Sequence, residues 1–220
     1  MRALLLIFIG LVFSPLCRGE LVPFDHVPRV GEEVSGSFSW VSAARKFELD
    51  ANGTLRSDGS KNGQSLRLPV PRNWFVESLL VGRFGNDLVL AYQTEFGGDG
   101  LSYICRVRGD LDSVHWCQKI PGFNIMVSGS VDSIWVGAMG FIGRLGPKSG
   151  KYVWRHGNLY RAYSDHGDSF ISVWPAAEAE ATVTFESEGT NRDNKRRMLL
   201  DRKSGKILRV TDIDSGNVLQ

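Results

Sequence analysis

The chain has 220 residues, 42% of them hydrophobic and 23% charged, which excludes a disordered or collagen-like protein. Glycine at 25 residues and aromatics at 10%, against four methionines, favour a turn-rich β protein over a helical bundle. The formal charge is +2, but Arg2 and Arg18 lie in an acid-free leader, so the remainder is balanced and no nucleic acid is expected as a partner.

Met1–Arg2 is followed by an apolar run over residues 3–13, then Ser14 and Pro15. This is the pattern of a secretory signal peptide, and the run is too short to span a bilayer, which takes about 20 residues. Small residues at Cys17 and Gly19 place cleavage before Glu20, giving a signal peptide over 1–19 and a single domain over 20–220. No later apolar run is long enough for a transmembrane segment, so a soluble periplasmic protein is expected. The rival reading makes Cys17 a lipidated first residue, but the preceding Ser-Pro-Leu does not offer the small neighbour that such a site wants.

Further along, segments 38–41, 88–94, 103–107, 133–136, 170–173, 182–186 and 206–210 alternate or carry β-branched and aromatic clusters, the signature of strands. Turn signals separate them, at Asn52-Gly53, Asn62-Gly63, Gly97-Gly98, Ser149-Gly150, Asn158, Gly167 and Ser204-Gly205. Pro69 and Pro71 predict an extended edge or linker. With Cys17 removed, Cys105 and Cys117 remain, and a turn cluster at residues 109–113 lies between them. A hairpin folded there sets the two cysteines opposite each other on neighbouring strands, so a disulfide is predicted for an exported chain.

One pattern recurs. Residues 141–154 read as an apolar strand, a Lys-Ser-Gly-Lys turn and a strand ending in Trp154; residues 198–208 repeat the strand, the same turn and a strand. Residues 46–55 give a third version around Asn52-Gly53, residues 103–117 a fourth ending in His-Trp-Cys, and Asp212 to Leu219 copies the spacing of Asp201 to Leu208. Repetition at intervals of a few tens of residues marks architectures in which no unit buries its own face. An apolar strand, a Ser/Thr-Gly-Lys turn and a strand closing in Trp resembles the blade repeat of quinoprotein-type β-propellers, best matched by residues 136–154. The resemblance implies an all-β, propeller-like repeat domain of antiparallel blades. Blades of about 40–45 residues allow four to five here, in a closed or an incomplete ring. The full quinoprotein enzymes are at least twice as long, so no cofactor is expected.

The chain contains no GxSxG, P-loop, GxGxxG or HExxH sequence. Tyr163, Asp165, His166 and Asp168 form the densest polar cluster, but a metal or catalytic role needs more ligands than this segment supplies. Asp212-x-Asp214-x-Gly216 begins like a calcium loop, and its match to the preceding repeat explains it better. Trp116 and Trp154 fall at equivalent repeat positions and are expected to pack between blades. Trp74 and Trp174 stand near loop boundaries and are freer to meet a partner. Glutamates over 178–188 and bases over 192–209 are expected to pair across adjacent strands, with a basic edge as the functional alternative.

An enzyme is therefore not expected. The leader, the neutral β-repeat body and the single disulfide are similar to periplasmic immunity proteins that neutralise phospholipase effectors of type VI secretion. That resemblance implies an inhibitor whose partner is a secreted effector enzyme; the alternative is an envelope scaffold or a carbohydrate-binding propeller. Loops at 72–77, 95–99 and 160–168 offer the expected partner-binding residues: Trp74, Phe96, Tyr160, Tyr163, Asp165, His166 and Asp168, with Trp174 beside them.

Overall fold

The computed structural model describes residues 21–31, 36–58, 64–157, 159, 172–189 and 195–220, and in them the chain is all-β. It opens with three short strands in one extended stretch, β1 (Val22–Pro23), β2 (Asp25–Val27) and β3 (Arg29–Val30). Four antiparallel sheets follow in chain order. The first holds β4 (Ser37–Ser42), β5 (Arg45–Asp50), β6 (Thr54–Ser57) and β7 (Ser65–Arg67). The second holds β8 (Phe75–Phe84), β9 (Asp87–Phe96), β10 (Asp99–Val107) and β11 (Val114–Ile120). The third holds β12 (Met126–Ser130), β13 (Ser133–Ala138), β14 (Phe141–Leu145) and β15 (Tyr152–His156). The fourth holds β16 (Ser172–Glu178), β17 (Thr182–Glu188), β18 (Arg196–Asp201) and β19 (Ile207–Asp212).

Each sheet is a meander whose strands pair in sequence order, which the short turns enforce. The N-terminal stretch ties three of them together. β1 pairs with β12, β2 with β8 and β3 with β4, each time antiparallel to the sheet's first strand. This strap crosses the third, second and first sheets in turn. Because β4, β8 and β12 all run against one strap, their turns at 42–45, 84–87 and 130–133 gather at one rim of the molecule. The turns at 51–53 and 96–99 and the connection at 68–74 lie at the opposite rim.

Among the described residues the hydrophobic core comes in three parts, one per junction. Phe38, Phe47, Leu49 and Leu55 meet Leu79, Leu90 and Val107 between the first and second sheets. Val89, Ala91 and Ile104 meet Val127, Ile134 and Val136 between the second and third. Trp135, Ile142 and Trp154 meet Val173, Val183, Phe185 and Met198 between the third and fourth. Among the described residues no core joins the first sheet to the fourth, and the series is not closed. The outer faces of these two sheets are largely polar instead, with Val41 on the first and Trp174 and Leu199 on the fourth as apolar exceptions. The first shows Ser39, Glu48 and Arg56, and the fourth shows Thr184, Glu186 and Arg197, the last two ion-paired at 2.7 Å. This confirms the cross-strand pairing expected for the two charge blocks.

Cys105 and Cys117 are direct partners on β10 and β11, with Cα atoms 4.1 Å apart and the sulfurs at disulfide distance, 1.98 Å. The hairpin predicted between them is present, turning over residues 108–113. No helix among the described residues is long and apolar enough to cross a membrane.

Candidate functional site

Two of the six tryptophans, Trp116 and Trp154, dock one sheet onto the next. Trp116 on β11 lies against Gly150 in the turn of the next sheet, where an added Cβ would come within 2.4 Å of the ring, and its indole N–H donates to Pro147 O at 3.1 Å. Trp154 on β15 repeats this one sheet later, on Gly205 (2.5 Å) and Arg202 O (3.0 Å). Each tryptophan stands directly opposite an arginine, Arg106 and Arg144 respectively. Those guanidinium groups donate to the same two carbonyls, at 3.0 and 3.1 Å, and are held from behind by acids at the turn between each sheet's first two strands, Asp87 and Asp132. One recurring docking unit therefore joins sheet two to three and three to four. In the fourth sheet the corresponding cross-strand pair is Leu199 and Arg209, and the ladder ends.

The turns that receive the tryptophans owe their shape to the repeat. Asp201 Oδ1 accepts the Ser204 amide and hydroxyl, at 2.7 and 2.6 Å, and the Gly205 amide closes onto Asp201 O. Asp212 does the same for Ser215 and Gly216. These hydrogen bonds hold both carboxyls below the usual carboxylate range. The seeming calcium loop at Asp212 is thus the repeat's own turn.

The expected partner loops divide. Trp74 and Phe96, from the connection before β8 and the end of β9, stack with centroids 6.4 Å apart at the rim away from the gathered turns. Phe96 is 53% exposed there. Beneath this pair, Glu77 lies at a bulge in β8 and bonds to Gln93, whose other amide atom accepts the Asn124 N–H at 3.0 Å. Burial and the neighbouring Glu95 carboxyl push the Glu77 carboxyl upward, against the pull of Arg29. Trp174 lies within β16, half-buried, and its backbone abuts Gly137 of β13; a Cβ at Gly137 would meet the carbonyl before Trp174 at 2.0 Å. Tyr160, Tyr163, Asp165, His166 and Asp168 lie outside the described residues.

A groove at the opposite rim was not foreseen in the sequence. The strap, the ends of β4, β8 and β12 and their turns enclose a groove of about 840 Å³. Val22, Phe24, Val27, Trp40, Val41 and Val81 supply much of its wall. Three valines at or near its lip are largely exposed: Val22 at 62%, Val41 at 72% and Val131 at 85%. The Trp40 indole N–H and the Ser130 hydroxyl, in the walls formed by the first and third sheets, are buried without a hydrogen-bond partner. The lining comes from four distant stretches of chain, and only the prolines at 23 and 28, which bracket the strap, hint at it locally. Beside it, separated by Arg83, a cleft of about 380 Å³ opens between the first two sheets. No docking tryptophan occupies that junction; Arg45 reaches across to Gly109 O at 3.3 Å instead.

The chain matches no family model, and no curated protein is significantly similar to it.

Proposed function

We propose that this is an exported, non-catalytic binding protein that acts in the periplasm by masking a protein partner, an inhibitor of immunity type directed at a secreted toxin such as a phospholipase effector. In this reading the four sheets are blades of an incomplete propeller of the quinoprotein type, carrying no quinone, and the rim loops are its recognition surface. The observation that carries the proposal is the stacked Trp74–Phe96 pair. Two large aromatic side chains from separate loops meet at a rim, over a rigid sheet, with Phe96 mostly in solvent. Paired aromatics on loops braced by a scaffold have the composition of interface centres. The repeated Arg–Trp docking units support the propeller reading, and the hairpin cysteines support export.

The same pair beside two carboxyls favours one rival, a carbohydrate-binding propeller, because aromatic faces also receive sugar rings. The two readings separate in one experiment. Tagged wild type and W74A/F96A are used as baits, and any protein retained by the first alone is titrated against both. The inhibitor reading expects at least a thirtyfold weaker Kd for the double variant, about 2 kcal/mol, together with loss of periplasmic protection against that partner. An unchanged Kd, or saturable binding of envelope glycans lost in the variant, would reject it.

A further inference from the structure

The groove over the strap exposes apolar surface that the fold does not require. Val131 sits at the tip of the β12–β13 hairpin, where a glycine or short polar residue is usual. Val41 lies one place beyond Trp40, whose ring stacks on Phe47, and projects away from that packing into solvent. With Val22 they ring a concavity whose volume falls within the roughly 300–1,000 Å³ of small-molecule sites. An exposed aliphatic lip around an apolar floor is the form of a site that receives an apolar body.

The lining of the groove itself holds one cation, Arg83, and one acid, Asp25. Arg83 forms part of the wall of both the groove and the adjoining cleft, and among the described residues it makes no ion pair. Arg45, the next cation, meets only a carbonyl. The acids of the cleft are already engaged, Asp87 by Arg106 and His115, and Asp110 by Arg108. On the groove wall Asp25 remains, opposite Val81 on β8. Where the groove adjoins the cleft, Arg83 and Arg45 are cations without an acid partner among the described residues, and that end presents positive charge to an apolar channel. A peptide strand is a poor occupant, because Pro23 and Pro28 deprive the strap of two backbone donors and its strands are only two or three residues long.

The geometry points to this groove as a binding site for a single-chain anionic amphiphile, with its acyl chain between the strap and Trp40 and its head group at Arg83. A fatty-acid carboxylate and a lysophospholipid phosphate share that chemistry. The site is separate from the Trp74–Phe96 rim and does not depend on its role.

The test is displacement of dansylaminoundecanoic acid from the purified protein by lauric acid, lysophosphatidylglycerol and dodecanol, each below its micellar concentration. Wild type should bind the probe saturably at one site. Val41→Glu/Val131→Glu, at two exposed positions, should weaken all ligands by at least about tenfold. Arg83→Glu should weaken the two anions about tenfold and leave dodecanol within about twofold. The better competitor of the two anions identifies the head group. W74A/F96A should bind the probe like wild type, so this site can stand if the rim proposal fails. Circular dichroism of each variant confirms its fold. Absence of saturable binding, undiminished affinity in the double valine variant, or an equal effect of Arg83→Glu on dodecanol and the anions would each overturn the assignment.

Discussion

Trp154 shows how much one residue position decides. Its ring fills the space above Gly205, its N–H satisfies a carbonyl of the next sheet, and its edge meets Trp135 and Phe185 in the core. Gly205 has φ +74°, which L side chains rarely adopt, and leaves no room for a Cβ. Gly205→Ala should therefore lose about 2–4 kcal/mol in urea unfolding, combining backbone strain with overpacking. Gly97→Ala, at φ +60° in open space, should lose only the backbone part, about 1–2 kcal/mol. Equal losses would mean that the Trp–Gly contact contributes nothing. Glu77 is the other informative residue. Its folded pKa is raised, by burial and then by Glu95, so the folded state favours the protonated form. The stability it lends is full below its unfolded pKa, about 4.3, and is lost as pH rises through the folded value. At neutral pH the ionised group is a cost. Glu77→Gln should raise Tm at pH 7 and lose that advantage near pH 4; a gain equal at both pH values would remove the carboxyl from this role.

At the scale of elements, the β10–β11 hairpin allows a clean measurement. Cys105 and Cys117 are 12 residues apart, and a loop of this length gives about 3 kcal/mol on the chain-entropy model. Protein purified without reductant should have an intact mass two hydrogens below the reduced form, and reduction should lower the unfolding free energy by about that amount. Free alkylation of both cysteines without reductant would contradict this. The hairpin was legible in sequence because turn residues and cysteines lie within one short stretch, and the strands at 182–186 and 133–136 were legible from alternation or β-branched content. β8 was not. A bulge at Glu77 breaks its period, and the second sheet is covered on both faces, so Leu79-Leu80-Val81 reads as an unbroken apolar run. The strap was invisible for a different reason: its three strands are defined by partners more than 100, more than 50 and fewer than 10 residues away, a pattern without local period. The same non-locality concealed the groove, whereas Trp74 and Phe96, each flagged by its own loop, were found and are stacked together.

For the molecule as a whole, the decisive fact is that packing runs from each sheet to the next and, among the described residues, does not return from the fourth to the first. Such a series behaves as a one-dimensional stack, with stability summed over sheets and junctions and with largely polar end faces. The second and third sheets have cores on both sides; the first and fourth have one each. Local opening should start where a single junction must be broken. Native-state hydrogen exchange is therefore expected to show the slowest amides in β9, β10, β13 and β14, and faster exchange in β5 and β17. Leu55→Ala, buried at the first junction, should cost about 2–5 kcal/mol and lower protection chiefly in the first sheet. Phe185→Ala at the third junction should do so chiefly in the fourth. Among the described residues the strap is the element that opposes this independence, since it joins three sheets along one edge. Its removal, by a form beginning after Val30, should widen the difference between middle and end sheets. Exchange at a single common free energy in all four sheets, unchanged in pattern by either substitution, would mean that the stack unfolds as one cooperative body and that the strap, more than the junctions, holds it together.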